Sequence, residues 1–137
     1  MIVGAEEQFR IGQPDAGADN WLLASKASHQ EFEVMFEDDG TTGYFYAIRS
    51  KPEPEILDAL HVYNVADVAD RNVPVTAQVL WDETEGAAAL VLNGYCHALF
   101  DFRQLAGFCR NAFPPPMQAQ SAPRELTDDL VDQYFSA

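Results

Sequence analysis

The chain has 137 residues, 47% hydrophobic and 12% aromatic, with 22 acidic side chains against 8 basic ones and a net charge of −14. That length corresponds to one domain, able to bury roughly 70% of the surface its unfolded chain exposes, and the composition lies well outside the disordered class. The acidity runs through both halves of the chain, so the field repels phosphate backbones and anionic lipid and argues against nucleic-acid and membrane partners; solubility is its ordinary explanation, and a basic protein partner or ligand is the alternative.

No apolar run approaches the ~20 residues that span a bilayer. Met1-Ile2-Val3 leads into Glu6-Glu7 without the basic and long apolar regions of a secretory signal. Cys96 and Cys109 are the two cysteines and form no C-x-x-C, which points to reduced thiols and a cytoplasmic protein.

Taken in chain order, Phe9-Arg10-Ile11 is a candidate short edge strand, and Gln13-Pro14-Asp15-Ala16-Gly17 is a loop by its Pro, Asp and Gly. Trp21 to Ser25 reads as a buried segment too short to separate strand from helix. From Glu31 to Glu37 the pattern alternates, with Phe32, Val34 and Phe36 facing one way and the glutamates the other, as in a half-buried strand. Asp38-Asp39-Gly40 then fits a three-residue hairpin loop with Gly40 in the left-handed region. That turn pairs Glu37 with Thr41, Val34 with Tyr44 and Phe32 with Tyr46, and it puts both tyrosines on the core face.

Lys51-Pro52-Glu53-Pro54 breaks the chain. Ile56 to Tyr63 is apolar on both faces and suits an interior strand. Asn64 is a candidate cap for a short helix from Val65 to Arg71. Val75 to Trp81 alternates as a strand, and Ala87 to Leu92 is another. Asn93-Gly94 is the dipeptide of a type I′ hairpin, pairing Leu92 with Tyr95, Val91 with Cys96 and Leu90 with His97. A helix is expected from Gln104 to Arg110, capped near Asp101 and weakened at Gly107 by ~1 kcal/mol relative to alanine. Residues 1–116 thus form a single α+β domain, an antiparallel, meander-like β-sheet of five to seven strands with one or two helices packed on it. Residues 117–137 form a linker and a short C-terminal helix, with Thr127 as its cap and Asp128 and Asp129 at its positive end.

No catalytic or cofactor motif stands out. The acids at Asp38 and Asp39 are contiguous between strands, unlike the alternating ligands of a calcium loop, and are better explained as turn chemistry. His97 and Asp101 lie ~13 Å apart along an extended strand, too far for a dyad, and no ligand spacing supports a metal site. G-x-S-x-G, G-x-G-x-x-G and the Walker A pattern are all absent from the sequence. Glu31 and Glu33 share a strand face ~7 Å apart, the commonplace arrangement of solvated charges.

The stretches Phe36-Glu37-Asp38-Asp39-Gly40-Thr41-Thr42-Gly43-Tyr44-Phe45-Tyr46-Ala47, Ile56 to Val65 and Asn93 to Phe102 resemble a family of small uncharacterised bacterial proteins, the domain of unknown function DUF2251. The likeness covers about residues 20 to 116. It implies a bacterial cytoplasmic protein and transfers no functional residue.

The leading expectation is a non-catalytic binding or interaction protein, in its concrete form an immunity-like protein that lays an acidic face over a basic partner. The alternative is a small enzyme or ligand-binding domain around His61, Tyr63 and His97. The candidate binding residues are Glu31, Glu33, His61, Tyr63 and His97, with no catalytic residue, metal or cofactor assigned. Exposed sheet edges leave room for a homodimer.

Overall fold

Nine strands and one helix are found among the described residues, 1–13 and 18–135, of this computed structural model. They are β1 (Ile2–Phe9), β2 (Trp21–Lys26), β3 (Phe32–Asp38), β4 (Thr42–Arg49), β5 (Glu55–Asn64), β6 (Val75–Trp81), β7 (Ala87–Leu92), β8 (Tyr95–Asp101), β9 (Ala106–Cys109) and α1 (Asp128–Phe135). The loop expected at Gln13 to Gly17 lies, from Pro14 onward, outside the described residues. The antiparallel α+β reading stands, with the strands divided between two sheets. The order is β2-β3-β4-β5 in one and β1-β6-β7-β8-β9 in the other.

The two sheets bury their inner faces against each other. Val34, Phe36, Phe45 and Leu60 from the four-stranded sheet meet Val79, Trp81, Leu90 and Phe100 from the five-stranded one in a single fully buried cluster. Phe9 stacks on Trp21 at 4.2 Å and meets Phe36 edge-on at 5.6 Å. Such pairs add ~0.5–1.5 kcal/mol each beyond the area they bury. One polar bond crosses this core: Trp81 Nε1 donates to Ser25 Oγ at 2.9 Å, so a buried indole N–H is satisfied.

Four local expectations are corrected. The first strand occupies Ile2–Phe9 rather than Phe9–Ile11; it is an exposed edge strand whose polar outer residues mask its period. The helix expected over Val65–Arg71 is a single 3-10 turn, Val65–Asp67. Its intended cap, Asn64, makes no capping bond, because its amide oxygen is engaged by His61 Nε2 at 2.9 Å. The helix expected over Gln104–Arg110 is strand β9. Asp101 does accept the N–H groups of Arg103 and Gln104, but Leu105 takes a positive φ of 51° and folds the chain back as a hairpin. Every residue of β9 is buried, so tertiary packing on both faces overrides helix propensity. The Asn93-Gly94 turn pairs Leu92 with Tyr95 and Val91 with Cys96 as expected, after which a bulge sets Leu90 opposite Ala98 instead of His97.

The hairpin at Asp38-Asp39-Gly40 carries the largest correction. Asp38 pairs with Gly43, Phe36 with Phe45 and Val34 with Ala47, a register three residues away from the expected one. The turn is displaced along the chain, closing where Asp39 N–H donates to the Thr42 carbonyl at 3.2 Å, and its acids hold the remaining backbone donors. Asp39 Oδ1 accepts from the N–H groups of Thr41 at 2.9 Å and Thr42 at 2.8 Å, and Asp38 Oδ1 accepts from Gly40 at 2.8 Å. These bonds hold the Asp39 carboxyl below its ordinary range. An odd shift exchanges the two faces of a strand. Phe45 and Ala47 therefore enter the core, and Tyr44 and Tyr46 turn outward.

The outer face of the five-stranded sheet is covered. Ala89, Val91, Leu99, Ala106 and Phe108 form a second apolar cluster that α1 overlies through Leu130, Val131, Tyr134 and Phe135. The segment before α1 closes the β9 edge. The Gln120 amide brackets Gly107, accepting from its N–H at 3.1 Å and donating to its carbonyl at 3.0 Å, and Cys109 bonds to Arg124 and Leu126. Arg124, itself buried, forks onto Asp58 of β5 with contacts of 2.5 and 2.8 Å and also donates to the carbonyls of Ala59, Gly107 and Pro114. Gly107 has to be glycine, since a Cβ would stand 2.5 Å from an Asp58 carboxylate oxygen.

Candidate functional site

The outer face of the four-stranded sheet carries Leu22 from β2, Glu33, Met35 and Glu37 from β3, and Tyr44, Tyr46 and Ile48 from β4. Alternation alone puts them there, because their strand neighbours fill the core. Among the described residues no helix or strand overlies them. Leu22 is 44% exposed, and Ile56, at the far end of β5, is 51% exposed.

At the centre of this face Tyr44 and Tyr46 lie side by side, with ring centroids 6.0 Å apart and planes 23° from parallel. Glu37 anchors them. Tyr46 Oη donates to Glu37 Oε1 at 3.4 Å, while Asn20 donates to the other carboxylate oxygen at 2.7 Å. Partial burial, then the Glu37 charge, push the Tyr46 hydroxyl up to about 12. Tyr46 thus stays a neutral donor. A flat aromatic pair beside a fixed carboxylate suits a basic side chain, through cation–π contact and charge pairing.

The candidate residues from the sequence are dispersed. Glu33 lies on this face, paired with Ile48. Glu31 is exposed just ahead of β3, its N–H donating to His29. His61 sits at the border of the face, edge-on to Tyr44 at 5.3 Å, but is packed in. Nδ1 contacts the Asn111 amide at 2.5 Å, Nε2 meets Asn64, and the ring touches Phe113. Tyr63 points inward. Its hydroxyl donates to buried Asp38 at 2.5 Å, and burial followed by that bond raises its proton affinity far above the ordinary range. His97 belongs to the other sheet, beside Tyr95, and burial and Arg110 depress its pKa to about 4. No hydrogen bond or ring contact joins His61 to His97 among the described residues.

Asp38 was legible only as a turn residue. Its other role, holding Gly12 N–H at 2.7 Å and Tyr63, ties the segment after β1 and strand β5 to the hairpin. Asp58 was hidden inside an apolar run, and nothing local marks it as the partner of Arg124. Cys96 and Cys109 are free and buried; burial pushes the Cys96 thiol up to about 11 and raises that of Cys109, so both are poor nucleophiles. No group of three or more His, Cys, Asp or Glu side chains arranged to hold a metal ion is found among the described residues. Among the described residues no helix is long and apolar enough to cross a membrane.

Comparison with known proteins returns a family without an assigned activity. The model of the family described as "Uncharacterized protein conserved in bacteria (DUF2251)" matches residues 11–135. An uncharacterised protein of Haemophilus influenzae is 42% identical over 109 residues, which cover 77% of this chain and 67% of the relative. No solved structure matches.

Proposed function

We propose, for a chain that belongs to the DUF2251 family of uncharacterised bacterial proteins, a non-catalytic binding function in which the open face of the four-stranded sheet docks a basic protein partner. The observation that carries this reading is the Tyr44–Tyr46 pair beside Glu37 on a sheet face that no helix or strand overlies among the described residues. Tyrosine and methionine at the centre of a patch, with charges around them, are the composition of protein interfaces. A second copy of the chain would meet its own net charge of −14, so charge favours a basic surface of another protein. An immunity-like role, covering the basic active site of a toxin, is the concrete form of this reading, and two buried free thiols support a cytoplasmic setting.

The test is recovery of partners from the native bacterium at low salt, with the wild-type protein and a Tyr44→Ala/Tyr46→Ala variant of matched thermal stability. A stoichiometric basic partner that the variant binds at least tenfold more weakly is the expected result. Recovery of no partner, or of one that binds both proteins equally, rejects the reading.

A further inference from the structure

On the opposite side of the molecule, α1 does not seal the sheet it covers. A cleft of about 510 Å³ lies between α1, β9 and the segment leading into the helix. Its apolar lining comes from Phe108 of β9 and Leu130 and Tyr134 of α1. Tyr134 is held in place by its hydroxyl, which donates to the buried Asp101 carboxylate at 2.6 Å. The cleft is in the size range of small-molecule sites, which combine apolar walls with a few oriented polar groups.

Its charged lining has one sign. Glu125 and Asp129 are the two charged groups, and no basic side chain contributes. The adjoining recess, which shares Gln104, Gln133 and Tyr134, contains Arg103, but that cation is committed to Asp82 at 2.8 Å and to Asp101 at 3.5 Å. The helix start offers an anion little. Thr127 Oγ1 already caps the Leu130 N–H, and Asp128 and Asp129 occupy the first turn.

We propose that this cleft binds a small organic cation with a flat apolar body, of the aryl amidine or arylalkylamine class. The aromatic body packs on Phe108, Leu130 and Tyr134, and the cationic head faces Glu125 and Asp129. The site lies on the five-stranded sheet, so it stands or falls independently of partner docking on the four-stranded one.

Benzamidine, benzamide and benzoate share a ring and differ in charge, which makes them matched probes. In a titration of the full chain followed by amide NMR, benzamidine is expected to give saturable shifts at Gln104, Phe108, Thr127 and Leu130. Benzoate is expected to bind at least tenfold more weakly. A Glu125→Gln/Asp129→Asn variant, which alters two exposed side chains and keeps the amide dispersion of the parent, should lose about tenfold in benzamidine affinity, as expected for removing partly screened charge pairs. Equal binding of benzoate, shifts centred on Tyr44 and Tyr46, an unchanged affinity in the double variant, or no saturable shift on the order of 10 mM would each overturn the proposal.

Discussion

The two sheets present their outer faces to opposite fates. On the five-stranded sheet, Val91, Leu99 and Phe108 lie under α1 and the segment that leads into it. On the four-stranded sheet, Leu22, Met35, Tyr44, Tyr46 and Ile48 sit in the same outward positions with no such cover among the described residues. Composition does not explain the difference, since both faces carry large apolar side chains. The difference comes from the C-terminal segment: it returns over one sheet only, fastened by the buried Asp58–Arg124 pair.

Breaking that fastening should have the largest effect. Arg124→Ala leaves Asp58 buried without its cation, and Asp58→Ala leaves the guanidinium; each is expected to destabilise the fold by ~3–5 kcal/mol in urea denaturation. The double substitution Asp58→Leu/Arg124→Met should recover much of that loss, because it removes both charges together. If the single variants match wild type, the pair does not hold the cover in place.

Next in size is the hydrogen bond from Tyr63 of β5 to Asp38 at the hairpin. Tyr63→Phe removes a donor from a buried carboxylate and should cost ~1–3 kcal/mol. Tyr63 also dictates an alkaline limit. Its folded-state proton affinity is raised, so its contribution is full below pH 10 and is lost as pH rises above that value. Tyr63→Phe should flatten the alkaline limb of a stability-against-pH curve; an unchanged limb would assign it elsewhere.

A smaller acid effect belongs to the covered sheet. The His97 pKa is lowered from 6.5 to about 4. Below pH 6.5 the unfolded chain takes up a proton that the folded chain resists, so stability falls progressively between 6.5 and about 4. The lowered carboxyls of Asp39 and Asp82 act only below their ordinary value of 3.8. His97→Gln should therefore remove the thermal-stability loss between pH 6.5 and about 4.5, where the lowered Glu85 carboxyl begins to act, and leave the steeper loss below it.

What the sequence disclosed about these two faces was uneven, for physical reasons. Strands β3, β6, β7 and the Asn93-Gly94 hairpin were legible because period and turn chemistry act locally. The register of the first hairpin was not, because the Asp38 and Asp39 side chains hold the turn's backbone donors and the turn closes further along the chain than Gly40 suggests. That single slip put Tyr44 and Tyr46 in the core and hid the aromatic part of the candidate site, while its acidic part, Glu33 and Glu37, was visible. β9 looked helical because its strand character comes from being buried between the inner core and α1, a non-local cause. The Asp58–Arg124 pair spans 66 residues, and no pattern in a window reports such a contact.

The smallest expected effect is the sharpest test of the contrast. On the covered sheet, Leu99→Ser removes a fully buried side chain from the cluster under α1 and should cost ~2–5 kcal/mol by cavity formation and lost burial. On the open sheet, Leu22→Ser changes a side chain that is 44% exposed, and its effect should stay within ~0.5 kcal/mol. Tyr44→Ser should cost little more, since its ring is half-buried, beside Tyr46 and the edge of His61. Tolerance of both polar substitutions would separate the open face from the fold's own stability and support the docking proposed for it. Should Leu22→Ser or Tyr44→Ser unfold the protein as readily as Leu99→Ser, the open face is part of the core of a larger assembly, and the asymmetry between the sheets disappears.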